Sequence, residues 1–332
     1  MNARDIVALG EAVLAGRAVT RADALALAGA GEEDTPLLAA YANKIRTRFA
    51  GRTADMCGVV SARGGLCPED CKFCAQSAHH TAASPVFPLI DQNQALAAFD
   101  RLAAAGARRA SLVTSGKGME TDPDFPRIVA LVAAAVAKAP IGVCANLGTL
   151  GRDQARRLAA AGLRRYAHNL ETSERFYPDI CTTHPYAERY ATLLAAKEAG
   201  LELCAGGVLG LGETWADRVE LALALRDLDV ASVPLNVLNP LPGTALERQP
   251  PLPPLEIIKT FAIFRFILPG KVIRPAGGRE INLRDLQGAI MLAGANGLIV
   301  GDYLTFGGRD CRADFAMVRD AGLIPETEEE QA

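Results

Sequence analysis

Three phrases of similar build recur along the chain: AAAGARRASLV at 103 to 113, AAAGLRRYAHNL at 159 to 170 and AAKEAGLELCAGG at 195 to 207. Each carries an Ala-rich amphipathic run of helical period, a glycine placed to cap its C-terminus (Gly106, Gly162, Gly200), and a short apolar run of strand character. Helix, glycine and strand repeated at intervals are the pattern of β/α units on a parallel sheet. Extended, the pattern predicts strands near 56 to 61, 109 to 114, 141 to 146, 165 to 169, 201 to 206, 231 to 237, 271 to 274 and 297 to 300. The helices alternating with them fall near 92 to 105, 122 to 138, 151 to 161, 187 to 199, 214 to 228, 254 to 268, 284 to 293 and 312 to 321. Eight units predict an α/β fold closed into a (β/α)8 barrel of the TIM type, with an open doubly wound sheet as the alternative. A chain of 332 residues, half of them hydrophobic, suits one such barrel with extra helices.

Before the first strand, residues 1 to 50 read as a helical extension of three short helices, with Thr20 the N-cap of the second, laid on the bottom or side of the barrel. The barrel is expected over 51 to 322, followed by a solvated, disordered acidic tail over 323 to 332. The proline-rich stretch 238 to 256 is too long for a turn and too stiff for a flexible linker, so a packed loop over the barrel mouth is expected.

A net charge of -3 and a pI near 5.9 leave no basic surplus for a polyanion, which sets nucleic acid aside as a partner. The N-terminus MNARDIVALGEAV lacks the basic start and long apolar run of a secretory signal. The most apolar later stretches are broken by Lys138 and Pro140, or by Arg265, before they reach a membrane-spanning length. A cytoplasmic protein without membrane association is expected. In that reducing setting eight cysteines point to metal or redox chemistry rather than disulfides.

Three of the eight, Cys67, Cys71 and Cys74, stand in CPEDCKFC with the spacing C-x3-C-x2-C, directly after the first expected strand. That loop belongs to the C-terminal face, where barrel enzymes place their chemistry. A structural zinc site needs a second knuckle at a typical spacing, and His79 and His80 are in the wrong arrangement to supply it. Three thiolates on a tight loop suit a cubane iron-sulfur cluster with one iron left without a protein ligand. An open iron is where a substrate or cosubstrate binds.

The motif in this position resembles the signature of the radical S-adenosylmethionine (SAM) enzymes, in which SAM chelates the open iron of a [4Fe-4S] cluster. YAHNLETS (166 to 173), AGGVLGLGETWADR (205 to 218), VPLNVL (233 to 238) and AGGRE (276 to 280) resemble, in that order, segments of the biotin synthase family, and the similarity runs from about residue 45 to 322. The resemblance implies sulfur insertion into dethiobiotin, with radicals generated from SAM at the [4Fe-4S] cluster and sulfur drawn from an auxiliary Fe-S cluster. It also implies a flavodoxin or ferredoxin as electron donor, and a homodimer.

By the same resemblance Cys67, Cys71 and Cys74 hold the SAM cluster. Asn169 and Glu171 match the positions that hold the ribose hydroxyls, and Arg189 the position that pairs with the methionine carboxylate. The stretch from Gly206 through Val208 and Gly210 to Glu213 matches the glycine-containing motif beside the adenine. On its own residues that stretch also reads as a plain strand-to-helix turn. Asn236 and Asn169 are candidates for the ureido ring of the substrate, because an amide offers both a donor and an acceptor; the less favoured alternative for either is a buried amide serving barrel backbone.

For the auxiliary cluster, Cys144, Cys204 and Arg274 match three of the four positions that the common biotin synthases use for a [2Fe-2S] cluster. The fourth falls on Ser111, and a serine oxygen is a poor ligand for soft iron-sulfur chemistry. Cys57 on the first strand and Cys311 after the last one are the expected additions, giving a set Cys57, Cys144, Cys204 and Cys311 for a four-iron cluster. The alternative for each is a small buried hydrophobe, the reading also given to Cys181. Two other functions stay open: a related radical SAM enzyme without sulfur insertion, of the hydrogenase-maturase or methylornithine-forming kind, and an Fe-S carrier that binds SAM to regulate itself.

Overall fold

In the computed structural model, which describes residues 1–304 and 307–326, the expected units are present in the expected order. The strands are β1 (Thr53–Arg63), β2 (Arg109–Thr114), β3 (Gly142–Asn146), β4 (Arg165–Ala167), β5 (Glu202–Cys204), β6 (Gly207–Leu209), β7 (Ser232–Val237), β8 (Val272–Pro275), β9 (Gly297–Ile299) and β10 (Ile324–Pro325). The helices are α1 (Ala3–Leu14), α2 (Arg21–Ala28), α3 (Thr35–Ala50), α4 (Gln92–Ala104), α5 (Phe125–Lys138), α6 (Arg152–Ala160), α7 (Tyr186–Glu198), α8 (Trp215–Asp227), α9 (Pro254–Ile267), α10 (Arg279–Leu283), α11 (Gln287–Leu292) and α12 (Cys311–Asp320). Gly106, Gly162 and Gly200 all take positive φ, between 82° and 91°, just past the ends of α4, α6 and α7. A glycine pays no Cβ penalty there, which is why the repeated phrase turns where it does.

All strand pairs are parallel. β1 pairs with β2, β2 with β3, β3 with β4 and β4 with β5, both β5 and β6 pair with β7, and β7 pairs with β8. β9 takes the other edge of β1, with Cys57 opposite Ile299. β8 and β9 meet through Asn296: its N–H donates to the Ile273 carbonyl at 3.0 Å and its side-chain oxygen accepts from the Ile273 N–H at 2.9 Å. The ring is a (β/α)8 barrel, with β5 and β6 as two pieces of one expected strand. The break falls where Gly206 faces Pro234 of β7, a residue with no N–H to give the ladder. A Cβ on Gly206 would lie 1.8 Å from the Pro234 carbonyl oxygen, so Gly206→Ala is expected to destabilise the fold by about 1–3 kcal/mol. Denaturant titration of the variant against wild type measures it.

Along β1 the side chains alternate. Met56 and Val60 face the helices and are fully or almost fully buried, while Cys57 and Val59 face the barrel cavity. The extension packs on the side of the barrel rather than under it, α3 against α9 and α2 against α8 and α9. Thr20 caps α2 in a capping box with Asp23, as expected. Within 238 to 256, Leu238, Asn239 and Leu241 line the cavity mouth.

Two expectations differ from the structure. The single helix near 284 to 293 is replaced by α10, a short 3-10 turn and α11, with Arg284 in a left-handed conformation at the joint. Residues 323 to 326 are not part of a disordered tail, because Ile324 and Pro325 pair with Thr53 and Ala54 of β1; the rest of the expected tail, 327 to 332, lies outside the described residues. Leu323 is buried beneath that pairing, which is what anchors the end of the chain. No helix among the described residues is long and apolar enough to cross a membrane.

Candidate active site

All eight cysteines are free thiols. Cys67, Cys71 and Cys74 share one compact loop beyond β1, folded on its own backbone: Cys67 N–H donates to the Gln76 carbonyl at 2.8 Å, Ala78 N–H to the Cys67 carbonyl at 2.7 Å, and Cys74 N–H to the Cys71 carbonyl at 2.9 Å. Burial pushes the Cys74 thiol up to about 11, and contact with Cys181 followed by burial pushes Cys71 higher still. These thiols stay protonated until a metal displaces the protons, so metal loading must release acid. Three thiols carried on one such loop fit a cubane cluster.

Arg189 of α7 comes down onto this loop. Its guanidinium donates to the Asn169 carbonyl at 3.0 Å, to Glu171 Oε1 at 3.4 Å and toward Cys71 Sγ at 3.9 Å. Asn169 Nδ2 in turn donates to Glu171 Oε2 at 3.3 Å. Glu171 sits in a left-handed conformation, φ 69°, just past β4, and burial raises its carboxyl against the opposing pull of Arg189. The structure therefore brings Cys71, Asn169, Glu171 and Arg189 together at the C-terminal face.

The 206 to 213 stretch divides. Val208 lines the cavity, but Gly206 packs on β7 and Gly210 makes the turn with φ 90°. Glu213 turns back to accept from Gly210 N–H at 2.9 Å and Leu211 N–H at 2.7 Å, and it pairs with Arg218 at 2.7 Å. Its carboxylate is spent on the turn and does not line the cavity, which corrects its placement among cofactor-binding residues. Asn236 lines the cavity, while its oxygen accepts from Gly277 N–H at 2.9 Å and its nitrogen donates to the Gly207 carbonyl at 3.4 Å.

Deeper in the barrel, Cys57, Cys144 and Cys204 gather around Arg274. Burial works against the Arg274 charge, yet Asp55, Cys57, Cys204 and Cys144 outweigh it and hold the guanidinium protonated. Burial pushes the Cys57 thiol up to about 11 and Cys144 up to about 12. Ser111 faces Cys144 across the β2–β3 pair. Below them Asp55 accepts from Arg109 at 2.9 Å and lies 3.3 Å from Arg274 and 3.7 Å from Arg165. Burial alone would raise the Asp55 carboxyl, and the three arginines reverse that.

Four polar atoms at this level, Arg274 Nε and Nη2, Arg165 Nη1 and Ser111 Oγ, are buried without a hydrogen-bond partner. Buried donors of this kind are normally satisfied. Arg274 Nη2 and Arg165 Nη1 have Asp55 as an ion-pair partner without a hydrogen bond to it, and three thiols beside such cationic groups suit an anionic, thiolate-held iron-sulfur cluster. Cys311 does not join them. It begins α12, half-buried, with Asp314, Asp310 and Asp302 as its charged neighbours. Cys311 does not line the cavity that Cys57 and Cys204 line, so the expected set Cys57, Cys144, Cys204 and Cys311 is not brought together.

A single cavity of about 320 Å³ connects the two levels, reaching from Cys74, Asn169 and Glu171 at the mouth to Cys57, Cys204 and Arg274 inside. Asp55, Arg109 and Arg165 were not anticipated, although the sequence carries their signal. Inward positions two residues apart read D-x-C at 55, R-x-S at 109, R-x-A at 165 and E-x-C at 202. A charge two residues below a small or sulfur-bearing side chain on several strands marks an ionic floor under the cavity. Glu69, Cys181 and His184 also form a buried group, their ligand-type atoms within 4.8 Å of one another.

Residues 63–225 match the Radical SAM superfamily, and residues 234–324 match the Biotin and Thiamin Synthesis associated domain. The chain is 48% identical over 319 residues to the biotin synthase of Carboxydothermus hydrogenoformans, covering 96% of this chain and 98% of that one. It is 47% identical over 320 residues to the biotin synthase of Clostridium acetobutylicum, with the same coverage. Among solved structures, methylornithine synthase superposes with a TM-score of 0.84 at 19% identity, covering 97% of this chain and 98% of that one. A maturase of the [FeFe]-hydrogenase gives 0.84 at 14% identity, covering 98% and 76%. At such identities the two structures speak for the fold alone.

Proposed function

The chain belongs to the biotin synthase family of radical SAM enzymes, and from that premise we propose how its own residues divide the work of inserting sulfur into dethiobiotin. The reaction draws on a [4Fe-4S] cluster, SAM and an auxiliary Fe-S cluster. When bound, these groups supply the 5'-deoxyadenosyl radical that takes hydrogen from an unactivated carbon, and the sulfur that replaces it.

In this reading Cys67, Cys71 and Cys74 hold three irons of the first cluster and leave the fourth open to SAM. Arg189 pairs with the SAM carboxylate, and Glu171 and Asn169 take the ribose hydroxyls. Dethiobiotin occupies the 320 Å³ cavity between the two levels, with the remaining amide hydrogens of Asn236 and Asn169 turned to its ureido oxygen. Cys57, Cys144 and Cys204, with Arg274, hold the auxiliary cluster, and Asp55, Arg109 and Arg165 balance its charge from below. The mostly apolar cavity wall keeps water from the carbon radical, which is what protects it until sulfur arrives. A small flavodoxin or ferredoxin delivers the electron, and the enzyme works as a homodimer in the cytoplasm.

The observation that carries the auxiliary site is the meeting of three barrel thiols with the buried Arg274 guanidinium, which is ion-paired with Asp55 through Nη2 and whose Nε has no hydrogen-bond partner among the described residues. Anaerobic reaction of reconstituted enzyme with dithionite, SAM and dethiobiotin, read by mass spectrometry, is expected to yield both 5'-deoxyadenosine and biotin. Release of 5'-deoxyadenosine without biotin or a thiolated intermediate would refute the substrate reading.

Iron counting tests the ligand set. About six irons per chain indicate a [2Fe-2S] auxiliary cluster and about eight a four-iron one. Cys57→Ala is expected to lose iron down to about four per chain, the content of the SAM cluster alone, whereas Cys311→Ala keeps the wild-type count. Iron loss in Cys311→Ala would place that residue back among the ligands.

A further inference from the structure

Glu69 lies inside the cysteine loop, between Cys67 and Cys71, and points away from it into the segment that follows β4. There its carboxylate meets His184 Nδ1 in a close contact and accepts from Thr183 Oγ1 at 2.6 Å. On the other side of the ring, His184 Nε2 lies 2.8 Å from the Tyr177 hydroxyl. The Tyr177 oxygen accepts from Arg189 Nε at 2.6 Å. Arg189 closes the circuit through its second nitrogen, 3.9 Å from Cys71 Sγ. Glu69, Tyr177, His184 and Arg189 are each less than 9% exposed.

The direction of the hydrogen bonds follows from chemistry. A guanidinium only donates and a carboxylate only accepts. With Arg189 donating into it, the Tyr177 O–H donates to Nε2 of a neutral His184, whose Nδ1–H donates to Glu69. One chain of donors thus runs Arg189, Tyr177, His184, Glu69, and it fixes the neutral imidazole as the Nδ1–H tautomer. The loop is docked on the same segment at two more points: Lys72 N–H donates to the Ile180 carbonyl at 3.0 Å, and Asp70 accepts from the Thr182 N–H at 2.9 Å. The donor atoms of Glu69, Cys181 and His184 already serve one another, with Cys181 Sγ 3.3 Å from His184 Nδ1, so the group needs no ion to be satisfied.

We propose that Tyr177 and His184 are positioning residues that lock the cysteine loop and Arg189 into one body, so that the open iron and the carboxylate-binding guanidinium stand at a fixed separation before SAM arrives. The proposal rests on the assignment of Arg189 to SAM made above. Neither residue is among those assigned to SAM or to the cluster. Their effect is to supply geometry in advance, which binding energy would otherwise have to create.

The test uses Tyr177→Phe, which removes one hydroxyl and keeps the ring packing, and His184→Gln, which keeps an acceptor and a donor. Iron content, the KM for SAM in 5'-deoxyadenosine formation, and the SAM-dependent change in the reduced cluster's EPR signal are compared with wild type. Tyr177→Phe is expected to keep its iron, to raise the KM for SAM about 10-fold with kcat changed far less, and to need correspondingly more SAM for the EPR change. His184→Gln, which keeps a donor and an acceptor, should show a smaller rise in the KM for SAM than Tyr177→Phe. An unchanged KM in Tyr177→Phe overturns the proposal. So does loss of the SAM cluster's iron in both variants, which would make the chain a fold support only. One zinc per holoenzyme chain that disappears in His184→Gln would overturn it in favour of a metal site at Glu69, Cys181 and His184. Failure of wild type itself to cleave SAM would count against the parent assignment instead.

Discussion

A Cys71→Ala enzyme is expected to release neither 5'-deoxyadenosine nor biotin, a fall of roughly 10³-fold or more in both products, because the reacting centre itself is lost. Cys71 is the buried one of the three loop thiols, and Arg189 approaches it at 3.9 Å. Its loss leaves two thiolates where a cubane with one open iron needs three. The fold itself should survive, since the loop is held by backbone bonds at Cys67 and Ala78 and by Asp70 docked on Thr182. Anaerobic reconstitution followed by iron analysis and product mass spectrometry measures the effect. Wild-type 5'-deoxyadenosine from this variant would remove Cys71 from the ligand set.

Cys204→Ala is expected to give the opposite split: 5'-deoxyadenosine continues at a rate near wild type, while biotin falls at least about 10-fold. Cys204 stands in the cavity wall on β5, with Arg274 and Cys57 as its partners, and is remote from the cysteine loop. Taking away its sulfur removes one ligand and leaves Cys57, Cys144 and Arg274 facing an incomplete site. The protein should still fold, because the substitution trims a single atom from a side chain that already borders open space. Single-turnover product analysis with dethiobiotin separates the two activities. Equal loss of both products would mean that the two levels of the barrel are not independent; unchanged biotin would take Cys204 out of sulfur delivery.

Most of the fold was legible because its instructions are local. The Ala-rich runs have helical period, Gly106, Gly162 and Gly200 end them in the left-handed region, and the strands that follow fall within a few residues of their expected places. The misplacements have local causes of another kind. Pro234 cannot donate to the ladder, and so splits the fifth strand into β5 and β6 opposite Gly206. Arg284 takes a left-handed turn that divides one expected helix into α10 and α11.

The site was legible in part. The spacing of Cys67, Cys71 and Cys74 is read within eight residues of chain, and a parallel barrel leaves such a loop nowhere to go but the C-terminal face. Cys311 shows the limit: its sequence position after β9 allowed a place in the cavity, and the structure puts it at the start of α12, off the cavity wall and near three aspartates. Glu213 shows the same limit, since nothing in its motif says whether a carboxylate faces a ligand or caps its own turn.

The sequence by itself determined the alternation of elements, their capping, the triple-thiol loop and the family to which they belong, all of which depend on residues close together in the chain. Only the tertiary structure decided which distant side chains share a level of the barrel. Asp55 beneath Arg109, Arg165 and Arg274, and Glu69 against His184 at a separation of 115 residues, meet because the ring closes and sets the strand register. Their charges are settled by mutual burial, a property of the closed ring that no single segment carries.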